Sequence, residues 1–458
     1  MGRLVVVSNR IAKATDKKAA AGGLAVALQQ ALQEKGGIWF GWSGKISSNT
    51  PVEPEITKIG PVTYATIDLS RKNYTEYYNG FANRSLWPLF HYRLDLTAFS
   101  KQNYQGYLQV NTMFADRLLP LIEPDDLIWV HDYHLIHLGE ELRRANVSQP
   151  MGFFLHIPFP AMEILTALPS HDTLVRALCA YDLIGFQTEN DLRAFLDYIT
   201  FEAKGRVMDG NRVHAYGRTL RIGVFPISID TDVYEEAGAK AAKSSTARRL
   251  LEHYGDRSLI LGVDRLDYSK GLLERLHSFE HFLESYPSYR GRASLIQIAP
   301  PSRSEVPEYK EIRHELEAEA GFINGRFAEF DWLPITYLSK SFSRENLAAF
   351  YRASRIGLVT PLRDGMNLVA KEYVAAQNPD DPGVLVLSRF AGAARELDGA
   401  LIINPLDFDA VADAIARGLE MPREERIERW SAMMEKLRTN TLSRWVESFL
   451  DALRETTH

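Results

Sequence analysis

Residues able to do chemistry recur in this chain at one kind of place, just after a short apolar run. Arg10 follows Leu4 to Ser8, Asp132 follows Leu127 to His131, and His156 ends Gly152 to His156. Arg265 follows Ser258 to Val263, Arg303 follows Leu295 to Ala299, and Asp364 follows Ile356 to Thr360. The most pointed segment is GVDRLDYSKG, which sets Arg265 and Lys270 five residues apart in a loop before a helix expected from about Leu272. A guanidinium and an ammonium held there suit a diphosphate, because fixed cations stabilise the charge that grows on phosphates as they depart. A solvated surface pair is the alternative.

In TPLRDGMNLVAKEY a helix opens near Asn367, and Gly365 lets the backbone approach a ligand closely. Asp364 is placed to hold the hydroxyls of a transferred sugar. Glu372 is placed to accept two hydrogen bonds from a ribose diol, or else to act as a first-turn acid that complements the helix dipole. In AAGGLAVAL, Gly22 and Gly23 read either as a mobile loop closing backbone amides over a ligand or as a plain helix entry. Arg10 favours the first, since a cation at a strand's carboxyl end seldom serves packing. EYYNGFANRSLWPLFHY mixes aromatics with Asn and Arg, a composition that suits sugar faces, although core packing accounts for most of its rings.

Two apparent metal motifs are set aside. His131, His134 and His137 recur every third residue in HDYHLIH, but no companion thiol or carboxylate-histidine pair completes a ligand set, and a helix start capped near Asp132 explains the segment. Asp407 and Asp409 form an Asp-x-Asp at the start of a helical pattern and read as capping residues.

The elements that must position these groups follow from the pattern. Apolar runs, continuing through Ile38 to Trp42, Leu183 to Gln187 and Leu220 to Pro226, alternate with helical segments, which signals buried parallel strands with crossover helices. A second series runs from Ser258 through Val384 to Ser388 and Leu401 to Asn404. The expected fold is therefore α/β, with two doubly wound Rossmann-like domains over 1–230 and 231–440 and a terminal helix at 441–458 able to pack back on the first. The junction lies near 228 to 235, and Pro422 breaks the helices after Asp407. Ligands of such sheets sit at the carboxyl ends of the strands, so two facing domains would gather the polar residues on one cleft.

Composition narrows the function classes. The 458 residues carry a formal charge of -6, which gives no general basic field for nucleic acid or acidic membrane. A single cysteine, Cys179, rules out an internal disulfide framework and points to the cytoplasm. The run Leu4 to Val7 is too short for a signal core, and no apolar stretch is long enough to span a membrane.

The segments LVVVSNRIA, AGGLAV, WFGWSG, LWPLFHYRLDL, IWVHDYHL, GFFLHIPFP, DLIGFQTENDLRAFL, RLDYSKG, IAPPSR, TPLRDGMNLVAKEYVAAQ and LSRFAGAA resemble, in order and across both halves, those of the retaining trehalose-6-phosphate synthases. These are OtsA-type bacterial enzymes of glycosyltransferase family 20 with the GT-B fold. The resemblance implies transfer of glucose from a nucleotide-glucose to glucose 6-phosphate, with no resident cofactor or metal, in a homo-oligomer, dimer or tetramer. Carried onto this chain, Arg10, Tyr78, Trp87, Asp132 and Arg303 would hold the acceptor, the two arginines taking its phosphate. Gly22, Gly23, Arg265, Lys270, Phe342, Asp364, Leu368, Val369, Ala370, Lys371 and Glu372 would bind the donor, with Phe342 against the base. His156, Arg265, Lys270, Asp132 and Asp364 would carry the reaction.

UDP-glucose is the family's usual donor; GDP-glucose and ADP-glucose stay open, because base recognition in such pockets leans on main-chain groups. No carboxylate presents itself as the nucleophile of a double displacement, so retention implies a front-face route. Three rivals are weighed: a glycogen synthase relative, a pyridoxal-phosphate-dependent phosphorylase, and a non-catalytic hexose-phosphate sensor.

Overall fold

The computed structural model describes residues 2–11, 23–48, 53–303 and 305–457. It divides into two units, 1–227 with 442–458, and 228–441.

The first unit is built on a ten-stranded sheet: β1 (Leu4–Arg10), β2 (Gly37–Ile46), β3 (Glu55–Ile59), β4 (Val62–Leu69), β5 (Leu127–His131), β6 (Met151–Phe154), β7 (Leu183–Phe186), β8 (Arg206–Met208), β9 (Arg212–Ala215) and β10 (Arg218–Val224), in the order β3-β4-β2-β1-β5-β6-β7-β10-β9-β8. From β4 to β10 every neighbouring pair is parallel, and antiparallel pairs with β3 and β9 finish the two ends. The central strands are Val, Ile and Phe runs with both faces covered, as a parallel sheet under helices requires. The chain steps outward from β1 to β2 and β4, then returns to β5 on β1's other side. The switch point therefore lies at the carboxyl ends of β1 and β5, where such folds bind ligands.

The terminal helix Leu442–Arg454 belongs to this unit. Phe449 is fully buried and stacks on Trp129 of β5, with ring centroids 4.6 Å apart, and Trp445 lies 5.0 Å from the same ring.

The second unit has six parallel strands, β11 (Ser258–Val263), β12 (Ala293–Ile298), β13 (Ile335–Leu338), β14 (Ile356–Val359), β15 (Val384–Ser388) and β16 (Leu401–Ile403), in the order β13-β12-β11-β14-β15-β16. Its switch point is between β11 and β14. Arg265 and Lys270 follow one of these strands and Asp364 follows the other.

Several elements differ from the sequence expectation. β4 and β13 were not anticipated, because Thr and Tyr interrupt VTYATIDL and ITYL, although most of β4 is buried. The edge strands β3, β8 and β9 also went unread; their exposed residues give no apolar run. The strand expected over Gly152 to His156 ends at Phe154, so His156 lies beyond it. The stretch between the two series folds as the helices Thr231–Ala241 and Ser245–Tyr254.

Candidate active site

In the first unit, Arg10 closes β1 with its guanidinium 5.8 Å from the centre of the Trp42 ring on β2. Gly44, at φ +87°, makes room for it, since a Cβ there would fall 2.8 Å from the Arg10 Nε. Trp42 also lies 5.8 Å from Tyr78, which stacks between Tyr74 at 5.4 Å and His134 at 5.7 Å. Tyr78 stands on a π-helical stretch, Tyr74–Leu86, a rare form that often marks functional positions. Composition drew attention to this segment without revealing its winding.

Asp132 follows β5 in a left-handed conformation, φ 74°, and its side chain makes no helix cap. The expectation of a capped helix start is therefore corrected: Asp132 Oδ1 accepts the backbone N–H of His156 at 3.2 Å, tying the ends of β5 and β6 together. The sparse backbone state fits a site held by its surroundings. His156 Nε2 is 3.0 Å from Nδ1 of the fully buried His131, so one ring N–H bridges the pair. Burial pushes the His156 pKa down to about 3 and drives that of His131 well below its ordinary value, so both rings are neutral at physiological pH.

The histidines of HDYHLIH enter three separate contacts: His131 meets His156, His134 meets Tyr78, and His137 meets Glu140 and Tyr104. Among the described residues no group of His, Cys, Asp and Glu is spaced to hold a metal ion. Trp87 is 5% exposed and packs on His91 and Tyr133, so little more than a ring edge is open to a ligand.

In the second unit, the Lys270 ammonium bonds Asp364 Oδ2 at 2.5 Å, and the Asn367 amide donates to the same oxygen at 3.0 Å. The loop carrying Lys270 is fixed by Gly271, at φ +61°, where a Cβ would sit 2.0 Å from the Thr360 carbonyl oxygen. Arg265, in the same loop, is exposed. The loop bearing Asp364 is tied by backbone hydrogen bonds to the segment after β15: Asp364 N–H to Phe390 O, and Gly392 N–H to Asp364 O. That pairing gives LSRFAGAA a structural role.

The helix Leu368–Ala375 begins at Asn367, which also has positive φ and accepts the Ala370 N–H at 3.1 Å. Glu372 lies beyond the first turn, which removes its reading as a first-turn dipole acid. Tyr351 donates to its carboxylate at 2.9 Å, and burial raises its pKa. The Lys371 ammonium is fully buried against Glu396 at 2.5 Å, so any contact this position makes with a ligand comes through its backbone. Phe342 precedes the helix Arg344–Ala353 and packs edge-on against Phe350 at 5.1 Å. Gly23 opens the helix Gly23–Lys35, whereas Gly22 and the loop reading attached to it lie outside the described residues. Asp407 caps the helix Phe408–Glu420 through the Ala410 N–H, and Asp409 pairs with His281 at 3.1 Å.

Sequence reasoning missed the supports beneath these groups. Arg275, fully buried, donates to Asp264 at 2.6 Å, Gln297 at 2.9 Å and Thr360 at 3.0 Å, bracing the ends of β11, β12 and β14. Asp267 is buried and bonds Ser269, Arg303 and Tyr309. A carboxylate inside RLDYSKG was visible in the sequence, but nothing there marked it as interior.

The family model for glycosyltransferase family 20 matches residues 2–455. A trehalose-6-phosphate synthase of Sinorhizobium fredii is 52% identical over 457 residues, covering 99% of this chain and 98% of its own. A UDP-forming α,α-trehalose-phosphate synthase of Burkholderia xenovorans in complex with glucose-6-phosphate is 52% identical with TM-score 0.96, over 99% of this chain and 100% of that one. An E. coli chain bound with UDP-2-fluoro glucose is 49% identical with TM-score 0.94, over 99% of each. The fold is α/β of the GT-B class, as the sequence led us to expect. Matched over nearly its whole length by the family model and by relatives sharing half its residues, the chain belongs to glycosyltransferase family 20.

Proposed function

We propose that this protein is a UDP-forming α,α-trehalose-phosphate synthase, moving glucose from UDP-glucose to glucose 6-phosphate with retention of configuration and without a metal or resident cofactor. The observation that carries the reading is the switch point between β11 and β14, where Lys270 is anchored on Asp364 and Arg265, in the same loop, stands exposed. Two cations fixed at such a place suit the diphosphate of a nucleotide sugar, whose negative charge increases as the glucosyl bond breaks. Full-length kinship with UDP-forming enzymes supports the choice of nucleotide. In the acceptor half of the proposal, Arg10 and Arg303 take the phosphate of glucose 6-phosphate, and Tyr78, Trp87 and Asp132 bound the sugar.

In the front-face step, the C1–O bond to the diphosphate loosens into an oxocarbenium-like state. The acceptor hydroxyl approaches from the same side, hydrogen-bonded to the departing phosphate oxygen. The new C1–O bond forms as the old one breaks, and the hydroxyl proton passes to the diphosphate. Neutral His156 serves as a hydrogen-bonding wall for the donor sugar. The setting we propose is cytoplasmic, on the strength of a chain with a single cysteine, and the assembly homo-oligomeric. The test is diphosphate release from UDP-, GDP- and ADP-glucose with glucose 6-phosphate and EDTA present. Release fastest from UDP-glucose supports the proposal. Binding of both ligands without release supports the sensor reading instead.

A further inference from the structure

Arg303 takes a left-handed backbone conformation, φ +47°, although its side chain is bulky. Such a state persists where surrounding contacts fix it. The Arg303 side chain is held by a carboxylate in the cationic loop itself: Asp267, between Arg265 and Lys270, with no measurable exposure.

Its two oxygens have separate partners. Oδ1 accepts the Ser269 N–H at 3.0 Å and the Ser269 hydroxyl at 2.9 Å, capping the turn that presents Lys270. Oδ2 accepts Arg303 Nη1 at 3.3 Å and the Tyr309 hydroxyl at 2.9 Å, and Tyr309 also contacts that guanidinium. One buried carboxylate thus orders the loop carrying the donor-side cations and aims the arginine assigned to the acceptor phosphate. We propose that Asp267, assisted by Tyr309, is a positioning residue that orients Arg303 toward the phosphate of the acceptor and sets the enzyme's preference for a phosphorylated sugar. This rests on the reading of Arg303 as a phosphate ligand.

Asp267→Asn keeps an oxygen able to cap Ser269 but removes the charge that holds Arg303. Tyr309→Phe removes one support of Oδ2 and leaves the cap intact. The readout is kcat/KM for glucose 6-phosphate relative to unphosphorylated glucose, with KM for UDP-glucose measured alongside. We expect Asp267→Asn to lower that ratio by about 10- to 100-fold, and Tyr309→Phe by less, with KM for UDP-glucose within about threefold of the parent. Arg303→Ala should lower the ratio at least as far, and adding Asp267→Asn to it should change the ratio little further, because both act on one contact. If Arg303→Ala lowers the ratio while Asp267→Asn and Tyr309→Phe leave it at the parent value, Arg303 binds phosphate unaided and the proposal is overturned. If Arg303→Ala itself leaves the ratio unchanged, the phosphate reading of Arg303 fails and the proposal fails with it.

Discussion

Replacing Lys270 with Ala removes both the cation proposed to face the departing diphosphate and the partner of Asp364. The two side chains are 10% and 14% exposed and 2.5 Å apart, so solvent screens the pair weakly. Breaking a buried ion pair costs about 3–5 kcal/mol. The Asn367 amide still donates to Asp364 at 3.0 Å, which places the expected loss at the lower end, about 3 kcal/mol. On turnover, losing one fixed donor to a developing anion costs about 100- to 1000-fold in kcat, roughly 3–4 kcal/mol. The double variant Lys270→Ala with Asp364→Asn isolates the stability cost, while kcat of Lys270→Ala alone reads the cation, because Asp364 is itself assigned to the donor sugar. The double variant no longer buries an unpaired carboxylate, so stability should recover by most of the loss while turnover stays low. Urea unfolding of both variants and UDP release by Lys270→Ala read the two quantities independently. A folded Lys270→Ala protein turning over within about threefold of the parent would refute the assignment.

Other expectations follow from the same contacts. Arg275→Met strands Asp264, whose carboxyl is already raised by burial, and should lower stability by about 3–5 kcal/mol in chemical unfolding. Phe449→Ala empties a fully buried site against Trp129 and should cost about 3–5 kcal/mol, read by the same method. His156, pushed down to about 3 in the folded protein, takes up a proton more readily when unfolded. The unfolded chain therefore binds more protons between about pH 6.5 and 3, and stability should fall as pH drops through that window. Unfolding midpoints between pH 7.5 and 4.5 should decline less steeply in His156→Gln than in the parent.

The strands that build the two sheet centres were legible because parallel strands covered on both faces must be apolar throughout. β1, β5, β11 and β14 therefore stand out as runs, and the polar residues after them fall where the topology reverses direction. β4 was hidden because Thr and Tyr satisfy a buried strand as well as Val does without forming an apolar run, and β13 because only its first residue, Ile335, is buried. The π-helical winding at Tyr74–Leu86 and the positive φ of Asp132, Arg303 and Asn367 leave no local signature in non-glycine residues. Asp267 and Arg275 were illegible for another reason: a charged side chain reads as surface until its partners, distant in sequence, are known. The cationic residues themselves were readable, whereas the buried groups that aim them were not.

The most direct test of the central claim is the configuration of the bond made in the first turnovers. With UDP-glucose, glucose 6-phosphate and EDTA, proton NMR of the disaccharide phosphate should show both anomeric centres α, with one UDP released per linkage. A β centre at the transferred glucose, or a product that forms only when a divalent metal is restored, would contradict an enzyme that relies on Arg265 and Lys270 to draw off the diphosphate from the face the acceptor enters.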